Sequence, residues 1–207
     1  MSITRLFDII FSFIGLIVTL PFNLVIGLLI IIDSEGFPIY TQTRLGKNEK
    51  PFLLYKWRTM RINAETGKEI LSTEGDARIT KFGKILRSTF LDELLQLYNI
   101  LKGEMSFVGP RPERPGLSEE FKNIPLWNKR TEVLPGLTGI AQLCGVSSNT
   151  PEEKARLDAW FVDHNSTLLY IEIGLLTAGM VLKKLAGVRC NHYRIMIGSE
   201  SKDRFNR

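Results

Sequence analysis

The sequence predicts an α+β domain, mostly helical with a small β-sheet, that a membrane holds by its N-terminal segment. Three observations predict it. No residue from Ile9 to Ile32 is charged. Residues 37–61 fall into short extended runs divided by turn formers. From Thr80 onward, apolar residues recur at helical spacing. The chain has 207 residues, enough for one modest domain with its own core. Its net charge is +5. Arg5 and Asp8 cancel within the first segment, so the basic excess lies after residue 32. Such an excess suits an anionic membrane surface or phosphate ligands. Cys144 and Cys190 make no disulfide framework and show no metal spacing.

The first element runs from Leu6 to Ile32. Its apolar run is too long for a secretory signal, and Asp33-Ser34-Glu35-Gly36 is a poor cleavage site. A buried helix of this length without charge is rare in a soluble domain of this size. Membrane insertion is the reading that is left. Pro21 removes one backbone donor and crowds the carbonyl four residues earlier. A kinked spanning helix and a re-entrant helix, bent at Pro21 so that it enters and leaves one leaflet, fit the residues equally. Arg44, Lys47 and Lys50 follow the segment and Arg5 alone precedes it. The positive-inside rule then places the following domain in the cytosol.

Next come short strands, with a turn at Gly46-Lys47-Asn48 and a new run from Pro51. Lys56 and Arg58, two apart, share a strand face; that face is either solvated or built for phosphate. Glu65 to Arg78 reads as a polar loop. Thr80 to Arg87 reads as a short basic helix. Leu91, Leu94, Leu95, Tyr98 and Leu101 form a helical stripe, ended by Gly103 as C-cap. Val108-Gly109-Pro110-Arg111-Pro112 cannot be helix interior, and its two prolines fix Arg111 on a rigid turn. Thr150-Pro151-Glu152-Glu153 starts a helix that runs to about Asp163. Ile173 to Leu182 is uncharged but too short to span, so it suits a core helix or an interfacial amphipathic one.

Asp92-Glu93 is the carboxylate pair of interest. Thr89-Phe90-Leu91-Asp92 also fits a plain capping box. The surroundings favour chemistry: Arg87 lies just upstream, Arg111 sits on a rigid turn downstream, and Lys56 and Arg58 share a strand face. Phosphate transfer needs cations for the phosphate oxygens and a carboxylate to attack phosphorus or hold a divalent ion. Asp158 and Asp163 do not stack as a metal pair, and His164 and His192 are isolated. The chain has no Walker loop, no dinucleotide fingerprint and no defensible Ser/His/Asp cluster.

Several strings resemble the bacterial sugar transferases known as monotopic phosphoglycosyl transferases. They are Tyr55-Lys56-Trp57-Arg58-Thr59-Met60, Thr80 through Arg87, Leu91-Asp92-Glu93-Leu94, Gln96 through Pro112, Pro135 through Gln142, and Leu157-Asp158. The resemblance implies a re-entrant N-terminal helix broken at Pro21, residues 1–33. It implies a catalytic domain on the cytosolic face of the bacterial inner membrane, residues 34–190, and a tail, 191–207. The donor would be a UDP-sugar and the acceptor a polyprenol phosphate such as undecaprenyl phosphate. Asp92 would attack the donor, release UMP and carry a covalent phosphosugar. Mg2+ would sit at Asp92, Glu93 would support it, and Lys56, Arg58, Arg87 and Arg111 would bind phosphate. The step would open glycoconjugate synthesis: polysaccharide, O-antigen or glycoprotein glycan. Partners would be membrane lipid, and a second copy or downstream glycosyltransferases; nucleic acid is not among them. The chain's length implies the catalytic core without the extra spanning helices of larger relatives. Phe90, Leu95, Ile140, Cys144, Val146, Tyr170 and Glu172 depart from the family pattern. Phe90 implies a different cap for the following helix, with Thr89 as the candidate. The others leave the sugar open, if the changed loop lines the donor pocket.

Overall fold

The computed structural model describes residues 2–62 and 76–186. Most of the polar loop at 65–78 and the whole 191–207 tail lie outside the described residues. In the described residues helices predominate, with two small two-stranded sheets rather than one.

α1, Ile3–Asp33, is one element through Pro21. The expected break is therefore corrected: no interruption of the helix is seen there. Side chains bridge the turns on either side of the lost donor. Thr19 donates to the Gly15 carbonyl at 2.7 Å, and Asn23 donates to Thr19 Oγ1 at 3.1 Å. At 1.5 Å per residue the helix is about 46 Å in contour.

α1 is built inside out. The residues it buries are Asp8, Ser12, Asn23 and Gly27 with Ile26 and Ile30, so its inner stripe is polar or small at four positions of six. The residues it exposes are Phe11, Phe13, Ile17, Val18, Phe22, Leu24 and their apolar neighbours. A water-soluble helix shows the reverse pattern. An apolar outer face this long marks a lipid-facing surface.

The stripe is matched to the domain at each level. Arg5 donates to the carbonyls of Ile100 and Leu101 at 2.6 and 2.8 Å. One oxygen of Asp8 accepts from Ser106 Oγ, the Phe107 amide and the Tyr170 hydroxyl at 3.1, 3.0 and 2.7 Å. Trp57 Nε1 donates to Asn23 Oδ1 at 3.0 Å. Gly27 admits the Trp57 ring, which a Cβ there would meet at 3.2 Å. At the far end, Asp33 accepts from the Phe82 amide at 3.1 Å.

β1, Ile39–Leu45, and β2, Pro51–Trp57, form an antiparallel hairpin with Ile39 opposite Trp57 and Leu45 opposite Pro51. Its turn places Asn48 and Glu49 at positive φ. Phe52 and Leu54 on β2 bury against Leu97 and Ile100 of α3, Gln96–Lys102. α2 is Lys81–Thr89, capped by Thr80, whose hydroxyl accepts from the Gly83 amide at 3.0 Å.

The helix expected across Leu91 to Leu101 splits. Phe90 takes a left-handed conformation, φ 60°, and a 3-10 turn, Leu91–Glu93, precedes α3. Thr89 does not cap it; its hydroxyl turns back to the carbonyl of Ile85 at 2.8 Å. The split rotates the stripe: Gln96, Leu97, Asn99 and Ile100 are buried, while Leu91 and Tyr98 face outward. Gly103 ends α3 at φ 86°, as expected of a C-cap.

β3, Ser106–Val108, pairs in parallel with β4, Gly136–Thr138. The strands approach so closely that a Cβ on Gly136 would lie 2.1 Å from the Gly109 nitrogen. α4 is Pro115–Phe121 and α5 is Ile140–Leu143. α6, Pro151–His164, begins and ends where the sequence indicates, although the Thr150 hydroxyl bonds the Ser147 carbonyl instead of the helix. α7, Thr167–Leu185, buries Tyr170 and Ile173 and exposes Leu168, Leu175, Leu182 and Leu185. Ile140 is buried in the core of α5, α6 and α7, and Cys144 and Val146 pack against it. These three residues thus belong to packing. Tyr170 is a hydrogen-bond partner of Asp8.

Candidate active site

The site forms where β2, α2, the 3-10 turn and the Pro110–Pro112 turn meet. Phe90 supplies its geometry. A bulky residue at positive φ is strained, and here it ends α2 and starts a separate turn that carries Asp92 and Glu93.

Asp92 is 7% exposed. Burial, aided by the neighbouring charge of Glu93, pushes its carboxyl up to about 6; Lys56, Arg87 and Arg111 pull the other way. Glu93 behaves differently. Burial, the largest single influence, raises it, but the charge and hydrogen bond of Arg111, together with Lys56 and Gln96, hold it below its ordinary value. Arg111 donates to Glu93 at 2.5 Å. Adjacent carboxylates are thereby split into one paired group and one poised group.

Lys56 rests 5.4 Å from the centroid of the Tyr40 ring. Burial lowers its ammonium to about 8; Asp92 opposes the shift, and Arg111 and Arg44 add to it. Arg87 is steadied by its Nε bond to Thr59 Oγ1 at 2.8 Å, and it acts on Asp92 through charge. Gly83 lets α2 sit against Thr59, whose carbonyl oxygen would lie 2.2 Å from a Cβ.

The structure thus brings five of the sequence-predicted residues together: Asp92, Glu93, Lys56, Arg87 and Arg111. It does not bring Arg58. β2 ends at Trp57, so alternation stops one residue short. The Arg58 guanidinium instead donates to the carbonyls of Ser34 and Glu35, each at 2.7 Å, and closes the end of α1. Its expected phosphate contact is corrected to a helix-capping one.

Sequence reasoning missed what supports the Arg111 turn. Arg130 donates to the Arg111 carbonyl at 2.7 Å, and Arg44 donates to the Pro112 carbonyl at 3.0 Å. Arg130 also pairs with Asp158 at 2.9 Å, and Glu113 pairs with Lys154 and accepts from Ser148 at 3.0 Å. Glu113 follows directly on the Pro-Arg-Pro turn, and that adjacency was the available signal. Among the described residues, no group of three or more His, Cys, Asp or Glu could hold a metal.

Three cations against two carboxylates leave a positive surplus suited to a diphosphate. Beside it, Ile85, Phe90, Leu91 and Tyr98 remain exposed, so charge and apolar surface meet at Asp92.

The sequence pattern of the bacterial sugar transferase family matches residues 1–184. The chain belongs to this family. An exopolysaccharide production protein of Rhizobium leguminosarum bv. phaseoli is 40% identical over 181 residues, covering 82% of this chain and 90% of that protein. A Bacillus subtilis (strain 168) protein is 47% identical over 131 residues, 63% of this chain and 73% of its own. It carries the provisional name of undecaprenyl-phosphate N-acetylgalactosaminyl 1-phosphate transferase. A UDP-glucose:undecaprenyl-phosphate glucose-1-phosphate transferase of Klebsiella pneumoniae is 39% identical over 183 residues. That match takes in 86% of this sugar transferase family member but 39% of the longer relative.

Proposed function

We propose that the chain transfers a sugar 1-phosphate from a UDP-sugar to undecaprenyl phosphate, with Asp92 as nucleophile. One observation carries this reading: a buried carboxylate with a raised pKa, ringed by Lys56, Arg87 and Arg111 at an apolar edge. The names of the relatives supply the substrate classes.

A carboxylate that titrates at about 6 is mostly ionised at neutral pH yet more basic than a free aspartate. An Asp92 oxygen attacks the sugar-linked phosphorus. The bond from that phosphorus to the bridging oxygen breaks, and UMP leaves with the electron pair. An oxygen of the lipid phosphate then attacks the same phosphorus, the Asp92–phosphorus bond breaks, and the carboxylate returns. Arg111, preset by Glu93, and Arg87, preset by Thr59, neutralise phosphate oxygens. Lys56, whose ammonium is readily lost, adds charge while it is protonated.

Mg2+ fits the donor set. It takes hard oxygens and is commonly held by one or two carboxylates plus substrate phosphates, which Asp92 and a bound diphosphate would provide. Its chemistry there would be to offset the donor's negative charge.

Both ends of α1 bond the same domain, at Leu101 and at Phe82. That supports a helix held against the domain along its whole length, with both ends on the domain's side. The basic domain argues for the cytosolic face of the cytoplasmic membrane.

The test is direct. Protein quenched after exposure to UDP-N-acetylgalactosamine or UDP-glucose with Mg2+ should carry a phosphosugar on the Asp92 peptide by mass spectrometry. UMP release should then need undecaprenyl phosphate for turnover. Turnover with no such adduct would refute the nucleophile. Sustained UMP release without the lipid would make the chain a hydrolase.

A further inference from the structure

We infer that Lys184, stacked on Phe90, is the docking group for the acceptor lipid's phosphate. This rests on the transfer reading above and names the site that would serve its second half.

The reaction must bring two anions to one carboxylate. The Lys56, Arg87 and Arg111 cations surround Asp92 from the protein side, where the donor's diphosphate needs them. The acceptor's phosphate rides on a hydrocarbon chain and must approach from the lipid side. The exposed apolar residues mark that side. On the catalytic turn these are Phe90 and Leu91, 38% and 37% exposed; on α2, Ile85 at 55%; on α7, Leu182 and Leu185 at 67% and 57%.

A cation on α7, between Leu182 and Leu185 in the chain, reaches the catalytic turn. The Lys184 ammonium lies 3.8 Å from the centroid of the Phe90 ring. Phe90 is two residues from Asp92 and ends the helix that carries Arg87. A cation on a ring face keeps its hydrogen-bond donors free on the side away from the ring. The flanking leucines, Leu182 and Leu185, are exposed with it. They would also seat the first carbons of an isoprenoid chain. The ring thus holds an ammonium at the lipid side of the nucleophile's turn.

The ligand class is a long-chain phosphate monoester. The test varies undecaprenyl phosphate in detergent micelles at fixed UDP-sugar and Mg2+, for wild type, K184Q, K184R and F90L. A charge-assisted hydrogen bond lost in K184Q should raise the KM for undecaprenyl phosphate about tenfold. The KM for the UDP-sugar should move less than about twofold. K184R should retain most of the affinity. F90L should show an intermediate rise, because it keeps bulk but removes the ring that holds the cation. Active wild type with an unchanged acceptor KM in K184Q, or with both KM values raised together, would overturn the inference alone. Wild type that turns over no UDP-sugar would remove the functional reading and this inference with it.

Discussion

Asp92 and Glu113 are buried to the same degree, each 7% exposed, and their acidities move in opposite directions. Asp92 is pushed up to about 6, because burial and the charge of Glu93 outweigh cations that act at a distance. Glu113 is held below its ordinary value although burial opposes this, because Lys154 touches it, Arg130 lies 3.7 Å away and Ser148 donates to it. Burial alone therefore does not set acidity in this fold; direct contact does. The contact-rich carboxylate holds the Arg111 turn. The contact-poor one keeps a reactive lone pair.

The largest test of that contrast is Asp92→Asn. Turnover should fall by at least about a thousandfold, read as UMP release. The same variant should gain stability. A folded-state value above the unfolded one means that the carboxyl stabilises the fold at low pH and loses this as pH rises through about 6. At neutral pH the amide should therefore raise unfolding free energy by about 1–3 kcal/mol in denaturant titration. A loss of stability would break the comparison.

Glu113→Gln should do the opposite. It strips a buried partner from Lys154 and Arg130, and should cost about 3–5 kcal/mol. Because the folded-state value of Glu113 is depressed, its contribution is present above the unfolded value of 4.5 and fades as pH falls through the folded one. The gap between variant and wild type should narrow in acid, which denaturation curves at two pH values would show.

A smaller effect is the pH profile. Donor kcat/KM should rise as Asp92 ionises through about 6 and fall as Lys56 loses its proton through about 8. Each limb should approach about tenfold per pH unit. Lys56→Arg should carry the basic limb beyond reach. Least of all, Trp57→Phe should cost about 1 kcal/mol by leaving Asn23 Oδ1 unanswered. It should move the acceptor side of the reaction more than the chemistry at Asp92, read as KM against kcat.

Much of the site was legible in sequence because local rules placed it. Two prolines fixed the Arg111 turn, and Gly103 fixed the end of α3. Arg58 was misread because strand alternation was carried past the last paired residue. The stripe on α3 was misplaced because the segment opens with three-residue winding, Leu94 bonding Leu91, Leu97 bonding Leu94 and Tyr98 bonding Leu95, which turns the face away from the 3.6-residue period. The Glu113–Lys154 pair spans 41 positions, and no local pattern predicts a contact made by tertiary packing. Asp8 counted only as a charge that offset Arg5; its three partners lie on β3 and α7.

That carboxylate has a consequence for how the protein is made. Its partners stand 98, 99 and 162 positions downstream. Translation separates Asp8 from Tyr170 by on the order of ten seconds. During that interval a nascent apolar segment carries an acid with nothing to answer it. Such a segment can rest among headgroups, but it cannot seat against a domain that does not yet exist. α1 is thus made well before the groups that seat Asp8, and a chain stalled before Tyr170 would keep this helix loosely moored.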